Sequence, residues 1–198
     1  MGAYILGLTG PSGAGKTAVS LLFARHGAHV IDCDILARRA VEQPDVLQRL
    51  AACFGRDIMS GGTLNRKLLA ARAFCSREAT DWLNKITHPV VLRLLEQDIK
   101  NANKKGSALI IIDAPTLIES RADALCDSYV AVVAPEELRR ERLRERDGLS
   151  EDEMHSRINA GHTDEFYTKN AKFVIENSNE SCLLELAVAK ILALVKAS

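Results

Sequence analysis

The chain has 198 residues, 47% of them hydrophobic, and its 26 basic and 26 acidic side chains leave no formal net charge. That length suits one α/β domain carrying an insertion and is short for two independent domains. Balanced charge argues against a duplex nucleic-acid partner, which draws on excess Lys and Arg, and no apolar run approaches the roughly 18 residues of a membrane span.

In chain order, Tyr4, Ile5, Leu6 and Leu8 predict a buried strand, and the stretch Gly10-Pro11-Ser12-Gly13-Ala14-Gly15-Lys16-Thr17 follows it. That stretch satisfies G-x-x-x-x-G-K-[ST], and Ala18 to Arg25 reads as the helix after it. Gly27 closes that helix, and Ala28 to Ile31 forms a second strand leading into Asp32-Cys33-Asp34, with a helix over Ile35 to Val41. From Asp45 to about Asn103 the apolar spacing is helical, interrupted by a Gly61-Gly62 turn and by His88-Pro89, which predicts a helix boundary or kink. The lone Trp82 and the Met residues read as core filling.

The α/β rhythm then resumes. Ala108 to Ile112, ending on Asp113, is a continuous apolar run suited to a central parallel strand. Tyr129 to Val133 is another, Pro135 to Arg146 a highly charged helix, and Ser150 to Ile158 a helix with Ser150 and Glu153 spaced as a capping box. Phe173 to Ile175 is the last strand, and Cys182 to Lys196 the closing amphipathic helix. Such alternation implies a parallel sheet with helices on both faces, and ligands bind beyond the strands' carboxyl ends. The Gly10–Thr17 loop, Asp32, Asp34 and Asp113 would share that rim.

The chemistry of each follows from residue type. In the loop, glycines allow successive N–H groups to turn inward around a phosphate, Lys16 brings an ammonium to the β/γ-phosphates, and Thr17 offers a hydroxyl to Mg²⁺. Asp113 stands in a Walker B position, where it can reach the metal or merely start the turn at Pro115. Asp32 or Asp34 can orient an acceptor hydroxyl and take its proton; either equally suits the cap of the following helix. Arg139, Arg142 and Arg146 form one helical stripe that can meet phosphoryl charge or be a solvated face laced by pairs such as Glu136 to Arg140.

The five cysteines lie far apart and none forms C-x-x-C. Small buried thiols in a reducing cytosol are expected, with no zinc site and no disulfide framework. Near the start, no basic segment precedes a long apolar stretch, and Leu6 occupies the place where a myristoylation signal wants Ser or Thr. A soluble cytoplasmic protein, without a membrane partner, is the expectation.

The stretches GLTGPSGAGK, VIDCDILAR, LNRKLL, ITHPVV, DAPTLIE, RLRERDGLS and VIENS, in this order, resemble the dephospho-coenzyme A kinase family nearly end to end. The resemblance implies a three-layer P-loop kinase fold of α/β class with a five-stranded parallel sheet ordered 2-3-1-4-5. It implies a core of residues 1–34, 105–138 and 169–198, a helical substrate-binding insert over 35–104 and a lid over 139–168. It also implies ATP-dependent phosphorylation of the ribose 3′-hydroxyl of dephospho-coenzyme A with Mg²⁺, by a monomer or weak homo-oligomer. By the same resemblance Asp34 is the base, Arg142 the lid arginine with Arg146 beside it, Asn177 the residue approaching the adenine, and Asp32, Arg66 and His88 face the substrate. Pro11, Ser12, Gly13, Ala14, Gly15, Lys16 and Thr17 would hold the nucleotide, and Thr17 and Asp113 the metal. Three positions depart from the family pattern: Pro11 replaces a Gly, Thr116-Leu117-Ile118 replaces Leu-Leu-Phe, and Gly161 stands in place of a Gln. Another P-loop kinase acting on nucleosides or nucleotides is the nearer alternative. A GTP-binding switch would need an N-K-x-D motif after a strand, which the chain does not have, and a module that holds ATP without chemistry is a third class.

Overall fold

The computed structural model describes residues 2–148, 150–151, 153–154, 158, 161–178 and 180–196. They fall into two units, Met1–Ile31 with Asn101–Ser198, and Asp32–Lys100.

The first unit is built on a five-stranded parallel sheet of β1 (Tyr4–Thr9), β2 (His29–Asp32), β5 (Leu109–Asp113), β6 (Ser128–Val133) and β7 (Phe173–Glu176). Strand order is β2-β5-β1-β6-β7, which is 2-3-1-4-5 when these five strands alone are counted. β1 lies at the centre, with Leu6 opposite Ile111 on one side and Leu8 opposite Val130 on the other. Ile110, Ile111 and Ile112 are fully buried, as a run apolar at every position requires when both sheet faces are covered. Leu6 and Leu8 pack with Val19, Leu22 and Phe23 of α1 (Lys16–Arg25) and with Leu184, Val188, Ile191, Leu192 and Val195 of the C-terminal helix Ser181–Lys196. Each such side chain contributes about 1.5–3 kcal/mol of burial, so this layer fixes where the loop between β1 and α1 emerges.

The second unit is helical: α2 (Cys33–Ala40), α3 (Pro44–Phe54), α4 (Arg66–Ala73) and most of α5 (Arg77–Lys104), with the β3 (Met59–Ser60) and β4 (Thr63–Leu64) hairpin closed by the predicted Gly61-Gly62 turn. Arg72 forks onto the Asp57 carboxylate, Nη1 donating to Oδ1 at 2.7 Å, and joins α4 to the turn after α3. That bidentate hydrogen bond holds the Asp57 carboxyl below its ordinary range.

Four expectations need correction. Helix α5 continues through His88-Pro89, so no helix boundary falls there. An interior proline costs about 3 kcal/mol or more, yet Ile86, Val90, Leu94, Leu95 and Ile99 are all buried on either side of it, and their burial outweighs that loss. Helix α2 begins at Cys33, not near Ile35, because Asp32 caps it. Trp82 is not core filling: it is 49% exposed, with the Lys85 ammonium 4.8 Å above its ring. Of the thiols, Cys33 is buried and Cys126 partly so, whereas Cys53, Cys75 and Cys182 are exposed; none is in a disulfide. The predicted capping box does form, Ser150 N donating to Glu153 Oε2 at 2.9 Å and Glu153 N to Ser150 Oγ at 3.4 Å. Leu149, Asp152, Arg157 and their undescribed neighbours, over which that helix and the lid motif extend, lie outside the described residues.

Candidate active site

In the first unit the loop from Gly10 to Gly15 leaves β1 at the sheet's carboxyl edge and enters α1 directly. Gly15 caps α1 with no side-chain hydrogen bond, and the first turn carries no acidic residue, so the helix start is left open to an anion. Gly13 (φ 80°) and Gly15 (φ 93°) adopt left-handed backbone that an L side chain resists. Space forbids a side chain as well: a Cβ on Gly13 would lie 2.7 Å from the Arg139 carbonyl oxygen, and one on Gly15 2.1 Å from Asn177 Nδ2.

The loop's carbonyls are held from outside by three side chains. Arg139 Nε donates to Ser12 O at 3.0 Å, and Arg142 Nη1 to Gly13 O at 3.1 Å and Ala14 O at 3.2 Å. Asn177 Nδ2 donates to Ala14 O at 2.9 Å. Among the described residues no peptide bond is cis, and in a trans peptide the C=O and the next N–H point opposite ways. Carbonyls drawn outward at Ser12 and Ala14 therefore turn the Gly13 and Gly15 N–H groups inward. Ala14 N instead closes a turn onto Pro11 O at 3.2 Å. Lys16 Nζ, half-buried, reaches Gly10 O at 3.3 Å across the same loop.

The arginine-rich helix α6 (Glu136–Asp147) presents two faces. Arg139, 6% exposed, and Arg142 turn to the loop, while Arg140 pairs with Glu136 at 2.8 Å and Arg144 with Glu151 on the solvated side. Burial lowers the Arg142 guanidinium's pKa from its ordinary value, an effect that Glu141 opposes. Arg146 departs from the expected stripe: it is exposed and forks onto its neighbour Asp147, Nε to Oδ1 at 2.8 Å and Nη2 to Oδ2 at 2.7 Å, a pairing that raises its pKa. Asn177, expected near an adenine by resemblance, is buried against Ala14 and accepts from Arg142 Nη2 at 3.2 Å through both its Oδ1 and its backbone oxygen. Helical spacing marked Arg139 as part of the stripe but not its hold on the Ser12 carbonyl, and no spacing marks Asp164, whose Oδ1 lies 3.4 Å from Arg139 Nη1.

Thr17 is exposed in the first turn of α1, and Asp113 ends β5 beside Leu8 of β1. Among the described residues no three carboxylate, imidazole or thiol groups gather to hold a metal ion alone. A hydroxyl and one carboxylate near a phosphate cradle is the kind of donor set that suits Mg²⁺, which keeps several waters and phosphate oxygens as ligands.

In the second unit the Asp32 and Asp34 alternatives separate. Asp32 Oδ1 accepts from Asp34 N at 2.8 Å and Ile35 N at 3.2 Å and is the cap of α2. The Asp34 side chain is exposed one residue into that helix. Asn65 caps α4, accepting from Leu68 N at 3.1 Å, and exposed Arg66 pairs with Glu42. His88 is half-buried within α5, and burial lowers its pKa.

A family model described as dephospho-CoA kinase matches residues 4–182. A dephospho-CoA kinase from Corynebacterium diphtheriae is 41% identical over 183 residues, covering 91% of this chain and 92% of that one. A crystal structure of a protein from Thermus thermophilus superposes with a TM-score of 0.85 at 32% identity, covering 98% of each chain. The shikimate kinase of Acinetobacter baumannii, at 21% identity and a TM-score of 0.58 over 98% of this chain and 94% of its own, shares the fold alone.

Proposed function

This chain belongs to the dephospho-CoA kinase family and phosphorylates the ribose 3′-hydroxyl of dephospho-coenzyme A with ATP, giving coenzyme A; from that premise we propose how its own residues carry the transfer. The Gly13 and Gly15 amides, Lys16 and the start of α1 bind the nucleotide's β- and γ-phosphates. Asp34 accepts the proton of the acceptor hydroxyl, with Asp32 setting its place through the helix cap. Arg142 supplies positive charge to the phosphoryl group in transfer, and Arg146 exchanges Asp147 for nucleotide phosphate. Asn177 holds the loop and Arg142 in register near the nucleotide. Arg66 and His88, in the helical insert of residues 35–104, face the substrate, while residues 139–168 act as the lid. Thr17 and Asp113 hold Mg²⁺, which when bound neutralises charge on the phosphate oxygens. The division of labour is positioning plus electrostatics, the pattern phosphoryl transfer demands.

What carries this reading is the cradle itself: outward carbonyls at Ser12 and Ala14 with inward amides at Gly13 and Gly15. No helix among the described residues is long and apolar enough to cross a membrane, and we place the enzyme in the cytoplasm as a monomer or weak homo-oligomer. Mass spectrometry of dephospho-coenzyme A incubated with ATP, Mg²⁺ and the enzyme tests the reaction. One phosphoryl group added at the 3′ position is the expected result; addition to nucleosides or nucleoside monophosphates instead would assign the chain to another kinase class.

A further inference from the structure

We infer that Arg139 is a positioning residue for nucleotide polyphosphate, acting through the Ser12 carbonyl to aim the Gly13 amide, and that Asp164 orients it. The inference rests on reading Gly10 to Thr17 as the phosphate loop.

Arg139 is the most buried of the α6 arginines described above, at 6% exposure. A guanidinium taken that far out of water needs its donors filled. Nε goes to Ser12 O at 3.0 Å and Nη1 to Asp164 Oδ1 at 3.4 Å. Asp164 opens the short helix Asp164–Thr168, so Arg139 ties three segments together: the loop, the start of α6 and the chain returning toward β7. Its backbone also touches the loop, since the site of a Gly13 Cβ lies 2.7 Å from its carbonyl oxygen and 3.0 Å from its Cα. The planar trans peptide converts this external tie into an internal effect: while Ser12 C=O points at Arg139, Gly13 N–H points into the cradle. A water molecule at Ser12 O would satisfy the carbonyl without fixing its direction.

The effect belongs to ground state and transition state alike, because the amide binds phosphate throughout the reaction. Loss of Arg139 therefore raises the KM for ATP with little change in kcat. It also acts on polyphosphate and not on the rest of the nucleotide. Isothermal titration with ADP and with AMP, alongside steady-state kinetics, reads both properties in Arg139→Ala, Arg139→Lys, Asp164→Asn and, as a control on the loop, Lys16→Ala.

Arg139→Ala is expected to weaken ADP binding and raise the ATP KM by about tenfold, the scale of one charge-assisted hydrogen bond. AMP affinity and the KM for dephospho-coenzyme A stay unchanged. Asp164→Asn, whose amide oxygen still accepts, stays within about threefold of the parent, and Arg139→Lys, which cannot serve both partners in fork geometry, falls between. Unchanged ADP affinity in Arg139→Ala with a Lys16→Ala loss intact would overturn the inference alone. Equal losses for ADP and AMP would reduce Arg139 to a folding role and overturn it as well. Unchanged ADP affinity in both Arg139→Ala and Lys16→Ala would remove the phosphate-loop reading, and the inference with it.

Discussion

Asp32 caps α2 through a hydrogen bond to its neighbour, the Asp34 N–H donating to Asp32 Oδ1 at 2.8 Å. Replacing such a cap by Ala costs about 1 kcal/mol. Asp32→Ala is expected to lower the urea midpoint accordingly and to lower kcat modestly by loosening the start of α2, while Asp32→Ser, which still caps, retains both. Equal behaviour of the Ala and Ser variants would remove the capping role.

Gly15 is closed to side chains by its backbone angle and by Asn177. A non-glycine residue held at φ 93° carries strain on the order of 1–3 kcal/mol, and the added methyl would displace the Asn177 amide from Ala14 O. Gly15→Ala is expected to lose ADP binding by more than about tenfold. Adding Asn177→Ala relieves the clash but not the backbone, so the double variant should stay defective. Full recovery in the double variant would show that space alone, and not the loop's backbone, is at stake.

Thiol reactivity follows exposure. Burial, with Asp123 and Asp127 nearby, pushes the Cys126 thiol up to about 12, so little thiolate exists there at neutral pH. Iodoacetamide at pH 8 is expected to label Cys53, Cys75 and Cys182 first and Cys33 and Cys126 last, as read by peptide mass mapping. Early labelling of Cys126 would contradict the packing of the β1 face on which it lies.

His88 links stability to pH. Burial lowers its pKa in the folded protein, so the unfolded chain takes up a proton at higher pH than the folded one. The stability it contributes is complete above the ordinary imidazole value of about 6.5 and is lost as pH falls through that value and then through the folded one. Urea denaturation at pH 7.5 and 5.5 should show the parent losing more stability than His88→Gln; identical losses would place His88 in solvent.

The strands and the phosphate loop were legible in the sequence because each rests on local signals: unbroken apolar runs in Leu109 to Ile112 and glycines at fixed offsets. What the sequence hid depends on partners far away in the chain. Helical spacing set Arg140 against Glu136 and Arg139 beside Arg142, but that Arg139 meets the Ser12 carbonyl depends on a residue 127 positions away. Asp32 and Asp34 were equivalent candidates until the first turn of α2 assigned the cap. Pro89 marks no helix boundary because the buried residues that offset its local cost are spread along α5 on either side of it. The β3–β4 hairpin, two residues per strand, is too short to leave an alternating pattern.

In the proposed transfer, the Asp34 carboxylate at the start of α2 readies the acceptor hydroxyl for a phosphoryl group held by the loop after β1. Single-turnover kinetics of Asp34→Asn with dephospho-coenzyme A and ATP tests it most directly. A fall in the chemical step on the order of a hundred- to ten-thousandfold, the range for losing a general base, is expected, with ADP affinity unchanged. Turnover at the parent's rate would contradict it.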